Sequence, residues 1–227
     1  MRVRRPAVIA AFVVAVVVLF PYAITPFYRF IDPVSMPMLW RYATGARVDR
    51  IFVPLSQISP ALRLAVIVAE DASFCRNPGI DLGEIREALV KSNDNLEEAR
   101  GASTITQQAA KNLFLWQGRS FIRKALEMPL ALWMTLVLPK RRILEIYLNI
   151  AEWGPNGEFG AEAGARLAFG KSARDLTAYQ AAELAAVLPN PAVRNARAPS
   201  LLVRRLAAIY QRRAADFGGL DRCVRDH

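Results

Sequence analysis

The strongest pattern along the chain is an unbroken apolar run. From Pro6 to Tyr28 no residue carries charge, and the centre of the run reads AVIAAFVVAVVVLF. As a helix, such a run spans roughly 30 Å, the thickness of a bilayer's hydrocarbon core. Arg2, Arg4 and Arg5 precede it. The positive-inside bias therefore places residues 1–5 in the cytoplasm as a basic tail and the body of the protein on the far side. A cleaved signal peptide is the competing reading. No good A-x-A site follows, however, and Pro21, Tyr22, Pro26, Phe27 and Tyr28 form an aromatic cluster suited to a membrane interface. A retained anchor over 6–28 is expected, with Pro21 bending or ending its helix.

The periodicity then changes. Residues 29–58 read as irregular, with short extended pieces such as RIFVPL. From residue 59 the pattern is helical. Ser59 and Pro60 form an N-cap and first-turn pair opening a helix to about Phe74. The polar stretch VKSNDNLEEARGAS, 90–103, reads as a mobile loop. Thr104 and Gln107 fit a capping box for a helix through about Leu115. Ser120 caps the next helix, which Pro129 is expected to kink. Ile143, Ile146, Tyr147 and Ile150 mark another apolar face at helical spacing, and GPNGEFG is a turn cluster. Thr177 and Gln180 fit a second capping box before AAELAAVL. An arginine-rich amphipathic helix runs from about Ser200 to Phe217 and stops at Gly218-Gly219. The fold class is mainly α: one N-terminal transmembrane helix, an irregular juxtamembrane segment, and one domain over 59–227.

Composition narrows the chemistry. The net charge of +10 on 227 residues suits a polyanionic partner such as nucleic acid, an anionic membrane surface or a phosphorylated substrate. Placement outside the cytoplasm argues against nucleic acid, so Arg204, Arg205, Arg212 and Arg213 are read as a solvated face. The sole histidine is His227, which excludes a Ser-His-Asp triad, a Cys-His dyad and a His-rich zinc site. Cys75 and Cys223 form no CxxC; they could pair in an oxidising compartment, but nothing in their spacing requires it, and free thiols are the favoured expectation. ARLAFGKS, 165–172, fits a relaxed phosphate-loop pattern, but the residues before it look helical and no buried strand leads into it.

Three clusters could carry chemistry. In EDASFCRNPGID, Glu70 follows Leu62 and Val66 at steps of four, so it lies along the apolar stripe of its helix. Desolvation there raises a carboxyl pKa toward the range a general base needs; the competing reading is an inert carboxylate at a frayed helix end. Asp71 points about a quarter-turn away, placed for local hydrogen bonds. In GASTITQQAAKNLFL, Thr104, Gln108 and Lys111 share one helical face. Ser103 and Thr104 sit at the helix N-terminus, where backbone N–H groups and the dipole favour an anion. That is a seat for a diphosphate, or else a well-capped polar surface. In RKALE, Arg123 and Lys124 neighbour Glu127 at helical spacing. Taken alone this is a surface ion pair worth under about 0.5 kcal/mol.

EDASFCRNPGID, GASTITQQAAKNLFL, RKALE and KRRILEIYLNIAEWG occur in an order and spacing that resembles the peptidoglycan glycosyltransferase family, over about residues 50–192. Within it the chain resembles the monofunctional biosynthetic transglycosylases, relatives of the glycosyltransferase domains of class A penicillin-binding proteins. The resemblance implies a lysozyme-like helical fold with a membrane-embedded cleft, acting on lipid II and lipid-linked glycan. It implies Glu70 as the base that deprotonates the acceptor GlcNAc 4-hydroxyl, which attacks the donor sugar with inversion. Lys111, Arg123 and Lys124 would neutralise the departing diphosphate. Ser103, Thr104, Gln108 and Asn112 would hold donor phosphate and sugar, and Glu127 would orient or stabilise. Asp71 and Phe74 would shape the first motif; Tyr147 and Asn149 would be structural. A location in the bacterial inner membrane, with the catalytic domain periplasmic, goes with it. So do membrane lipids and cell-division or wall-synthesis proteins as partners.

No cofactor is required by this chemistry, because cations alone can offset a diphosphate leaving group; a divalent cation is compatible but no ligand cluster demands one. The chain departs from the family pattern at Asn77, where His is usual, with Pro78 beside it, and at Thr135 and Gln180, where acidic residues are common. Asn77 can hydrogen-bond but cannot carry a proton. No SxxK serine motif is present, so peptide crosslinking is not expected. Two other readings stay open at this stage: a lysozyme-like muralytic enzyme, and a non-catalytic scaffold of wall assembly.

Overall fold

A computed structural model describes residues 4–91, 103–118, 120–216 and 219–225. The apolar run forms helix α1, Arg4–Ile24. Its residues from Val8 to Phe20 stand exposed along its length. An apolar helix with nothing packed around it fits a single-pass membrane anchor. Pro21 neither bends it to a stop nor ends it; it lies inside α1, which continues to Ile24 before a 3-10 turn over Thr25–Arg29.

The base of α1 is docked in part through a backbone carbonyl that a following proline leaves free. Pro26 has no N–H to donate to Tyr22 O, four residues back. Trp133 Nε1 donates to that carbonyl instead, at 3.0 Å, and the two rings lie 6.2 Å apart. Tyr28 stacks on Phe114. Arg142 donates to Tyr28 O at 2.7 Å, Ile31 O at 2.9 Å and Asp32 Oδ1 at 2.8 Å. The juxtamembrane chain is thereby tied to the helices that carry the site.

Residues 29–58 are less irregular than expected. They contain helix α2, Met36–Ala43, capped by Ser35, whose side chain accepts from Met38 N. Its proline sits in the first turn, where it costs no hydrogen bond. Strand β1, Asp49–Arg50, pairs in parallel with β2, Glu158–Phe159, so only the first residue of RIFVPL is strand.

Helix α3, Pro60–Glu70, is capped by Ser59. It stops at Glu70, not Phe74: Asp71 adopts φ −164° and ψ 80°, and a turn carries Phe74 into the core. Helix α4, Leu82–Lys91, takes up the start of the expected loop; residues 92–102 lie outside the described residues. Helix α5, Ile105–Phe114, begins at the complete capping box of Thr104 and Gln107. Helix α6, Phe121–Val137, is capped by Ser120 and accommodates Pro129 within it. Helices α7, Lys140–Ile150, and α8, Ala161–Phe169, follow. Helix α9, Ala178–Val187, starts at the Thr177–Gln180 capping box, and α10 spans Leu201–Asp216.

Helices α3, α9 and α10 pack together as one group, and α5 packs on α6 and α7 as a second. The core between them is filled by fully buried large side chains, among them Trp153, Tyr147, Phe74 and Phe159. The cysteines are not free. Cys75 and Cys223 form a disulfide across 148 residues, with Cα atoms 5.5 Å apart. Nothing local signals this pairing; it exists because the packed domain returns its C-terminal segment to the turn after α3. Val224 O in that segment accepts from Arg63 and Arg141.

Candidate active site

Glu70 is the last residue of α3, where the stripe through Leu62 and Val66 leaves the core. Its Oε2 accepts from Gln108 Nε2 at 2.7 Å. Burial pushes the carboxyl pKa up, while the Gln108 bond and the charges of Lys111 and Arg194 pull it back. The acid is thus largely dry and faces donors and cations. Gln108 and Lys111 come from α5, whose one-face spacing aims both at the end of α3.

Asp71 organises the turn. Its buried carboxylate accepts from Asn77 Nδ2 at 2.9 and 3.1 Å, Ser73 Oγ at 3.0 Å and the backbone N–H of Ile105 at 3.1 Å. The last bond places an anion on the first peptide of α5, where the helix dipole favours it. Burial raises the Asp71 pKa, and the bonds from Asn77 and Ile105 oppose that. Asn77 supplies a donor to Asp71 and an acceptor, Oδ1, for Gly79 N at 3.0 Å and Lys140 Nζ at 3.1 Å. Phe74 is fully buried, with Lys140 Nζ 4.6 Å from its ring centre. Thr104 Oγ1 caps α5 and donates to Gly79 O at 2.6 Å.

The cations form a second wall. Lys124 Nζ donates to Ser103 Oγ at 2.6 Å and lies 3.3 Å from Glu127 Oε2. Arg123 pairs with the other oxygen of Glu127, a carboxylate only 3% exposed. RKALE is therefore an ion-pair network around a buried carboxylate, with Lys124 at its partly exposed edge, and not a surface pair. Burial, with Arg123 and Lys111 adding their charge, pushes Lys124 down to about 8. Burial and Arg123 likewise lower Lys111, which Glu70 partly restores. Asn112 lies half-buried beside Lys111 on α5, and the hydrogen-bond network just described does not include it.

A cavity of about 190 Å³ opens here, lined by Glu70, Asp71, Asp81, Ser103, Thr104 and Arg213 among others. Arg213 is exposed, like Arg204, Arg205 and Arg212, so the reading of a solvated face holds; it also lines this cavity. Sequence reasoning also missed Asp81, whose Oδ2 accepts from Ser73 Oγ at 2.5 Å, together with Arg194 and Lys140. Lys140 did leave a signal: a cation at the first residue of a helix opposes the dipole and needs a partner elsewhere. Arg194 left none. Tyr147 OH, read as structural, donates to Gln108 Oε1 at 3.0 Å.

A mainly helical domain with an exposed N-terminal apolar helix, presenting a largely dry carboxylate to Gln108 and Lys111, defines the class. Comparison with known proteins gives the family. The family model described as Transglycosylase matches residues 39–214. A biosynthetic peptidoglycan transglycosylase of Rhodopseudomonas palustris (strain TIE-1) is 58% identical over 213 residues, covering 94% of this chain and 90% of the relative. One from Nitrobacter hamburgensis is 54% identical, covering 98% of each chain. One from Rhizobium meliloti is 47% identical, covering 95% of this chain and 91% of the relative. The chain belongs to the transglycosylase family, whose domain is lysozyme-like.

Proposed function

We propose that this protein polymerises the glycan chains of peptidoglycan, moving the growing lipid-linked glycan from its undecaprenyl diphosphate onto the GlcNAc 4-hydroxyl of lipid II. The observation that carries the reading is the Glu70 carboxylate, 2.7 Å from Gln108 Nε2 and in the field of Lys111. A base raised by burial and trimmed by one donor suits proton abstraction from a sugar hydroxyl near neutral pH. Glu70 takes the 4-hydroxyl proton as that oxygen forms its bond to C1 of the donor. The C1–O bond to the diphosphate breaks with inversion, and its electron pair leaves on the diphosphate.

Lys111, Arg123 and Lys124 receive that charge. Glu127, held between Arg123 and Lys124, orients these heads and does not act as the base. Ser103, Thr104, Gln108 and Asn112 bind the donor's phosphate and sugar. The cations supply the neutralisation, so the step needs no cofactor or metal. Asp71, Phe74 and Asn77 shape the turn that presents Glu70.

A place on the periplasmic face of the bacterial inner membrane belongs to this reading; the exposed apolar helix α1, the arginines that precede it and the Cys75–Cys223 disulfide, which suits an oxidising compartment, support it. Membrane lipids and other wall-synthesis proteins are the neighbours this location supplies. The test is turnover of lipid II into lipid-linked glycan by the full chain in detergent. Glu70→Gln is expected to lower the rate by about 10²–10⁴-fold with thermal unfolding unchanged. Equal rates would remove Glu70 as the base.

A further inference from the structure

Gln108 is held at both ends of its amide. Nε2 donates to Glu70 Oε2 at 2.7 Å, and Oε1 accepts from Tyr147 OH at 3.0 Å. Tyr147 lies on α7 and is only 2% exposed. The two ends of a carboxamide have nearly the same shape, so hydrogen-bond partners alone decide which end faces the acid. Reversing the amide would turn Oε1 toward the Glu70 oxygen. An acceptor there repels a carboxylate and stabilises the protonated acid, which can donate. The reversal would also leave the Tyr147 hydroxyl proton without its acceptor, a costly outcome for a buried group.

We propose that Tyr147 is a positioning residue for the general base: its hydroxyl selects the Gln108 amide orientation that presents Nε2 to Glu70 and keeps that side chain ionised. The inference deepens the proposed function, since it rests on Glu70 as the base.

Other groups facing Glu70 leave this role to Tyr147. Lys111 on α5 and Arg194 after α9 favour the carboxylate, and Asp71 opposes it. Tyr210 on α10 feels the Glu70 charge, and Arg213 on the same helix lines the shared cavity. None of these bonds Gln108 Oε1. Burial and the Glu70 charge both push the Tyr147 phenol well up, so it remains a neutral donor across the working range.

Tyr147→Phe keeps the buried ring and deletes only the hydroxyl. Two readouts apply: the acid limb of kcat/KM against pH, and the Glu70 carboxyl titration followed by infrared difference between each protein and its Glu70→Gln counterpart. Both are expected to move upward by about one pH unit in Tyr147→Phe. In a Gln108→Leu background, the same substitution is expected to add no shift. Tyr147→Leu, which also lacks the hydroxyl, serves should the Phe variant unfold, and shifts in the same direction. An unmoved titration in a folded variant overturns the proposal, as does an equal shift with and without Gln108. Wild-type protein that fails to turn over lipid II overturns the functional reading instead, while the carboxyl titration still decides the role of Tyr147.

Discussion

Lys140 Nζ lies 3.1 Å from Asn77 Oδ1 and 4.6 Å from the centre of the Phe74 ring, so the turn after α3 is held from the start of α7. Asn77 joins four groups there: it donates to Asp71 and Ser73 Oγ and accepts from Gly79 N and Lys140. Asn77→Ala leaves a buried carboxylate short of a donor and a buried N–H without its acceptor. It is expected to cost about 2–4 kcal/mol, read by denaturant unfolding. Turnover is expected to fall as well, because Asp71 also holds the first N–H of α5.

Lys124 gives the site an alkaline limit. Its folded pKa of about 8 is below the ordinary 10.5, because burial and the neighbouring Arg123 and Lys111 disfavour its charged form. The free protein therefore loses this charge as pH rises through about 8, and diphosphate affinity is expected to fall across the same range. Binding above that pH draws a proton back onto the lysine. Calorimetry of pyrophosphate binding in buffers of different ionisation enthalpy reads this uptake. Lys124→Arg keeps its charge and is expected to abolish the uptake.

The Cys75–Cys223 bridge closes a long loop. Constraining the unfolded chain over such a span stabilises the fold by up to about 5 kcal/mol in the chain-entropy picture. Reduction, or the paired change Cys75→Ser with Cys223→Ser, is expected to lower the midpoint of denaturant unfolding. Reductant is then expected to have no further effect on the double variant.

Gly79 stands at φ +110°, and a Cβ there would lie 2.5 Å from Ala131 O and 2.6 Å from Thr135 Oγ1. The backbone oxygen belongs to α6 and cannot yield. Gly79→Ala is expected to destabilise by more than about 3 kcal/mol. It also displaces the carbonyl that accepts from Thr104, so thermal unfolding and turnover are expected to fall together.

Arg142 fastens the foot of the anchor to α7 through Tyr28 O, Ile31 O and Asp32. Arg142→Ala is expected to cost about 2–3 kcal/mol. With the anchor loosened from the domain, turnover of lipid II embedded in vesicles is expected to fall more than turnover in detergent. An equal fall in the two media would mean the clamp does not set the domain's placement at the bilayer.

Much of the molecule was written in local pattern. The uncharged run from Pro6 to Tyr28 is an exposed apolar helix because its composition leaves no other use for it. Both Thr-Gln capping boxes formed as read, since a cap involves residues only three apart. The stripe that ran Glu70 along the apolar face gave its desolvation. Pro21 misled, because α1 continues past it to Ile24, and the short helix α2 went unread within the segment taken as irregular. The end of α3 was misjudged by four residues, since Asp71 leaves helical geometry to satisfy the start of α5.

By itself the sequence determined most of the helices, though not α2 or α4, with their caps and apolar faces. All of these rest on contacts within four or so positions along the chain. Tertiary structure alone decided that Asp71 meets Ile105, that Gln108 lies between Glu70 and Tyr147, that Lys124 bonds Ser103, and that Cys75 reaches Cys223. Those partners lie tens of residues apart or more. Their distances follow from how several helices share one core, and no periodicity encodes that.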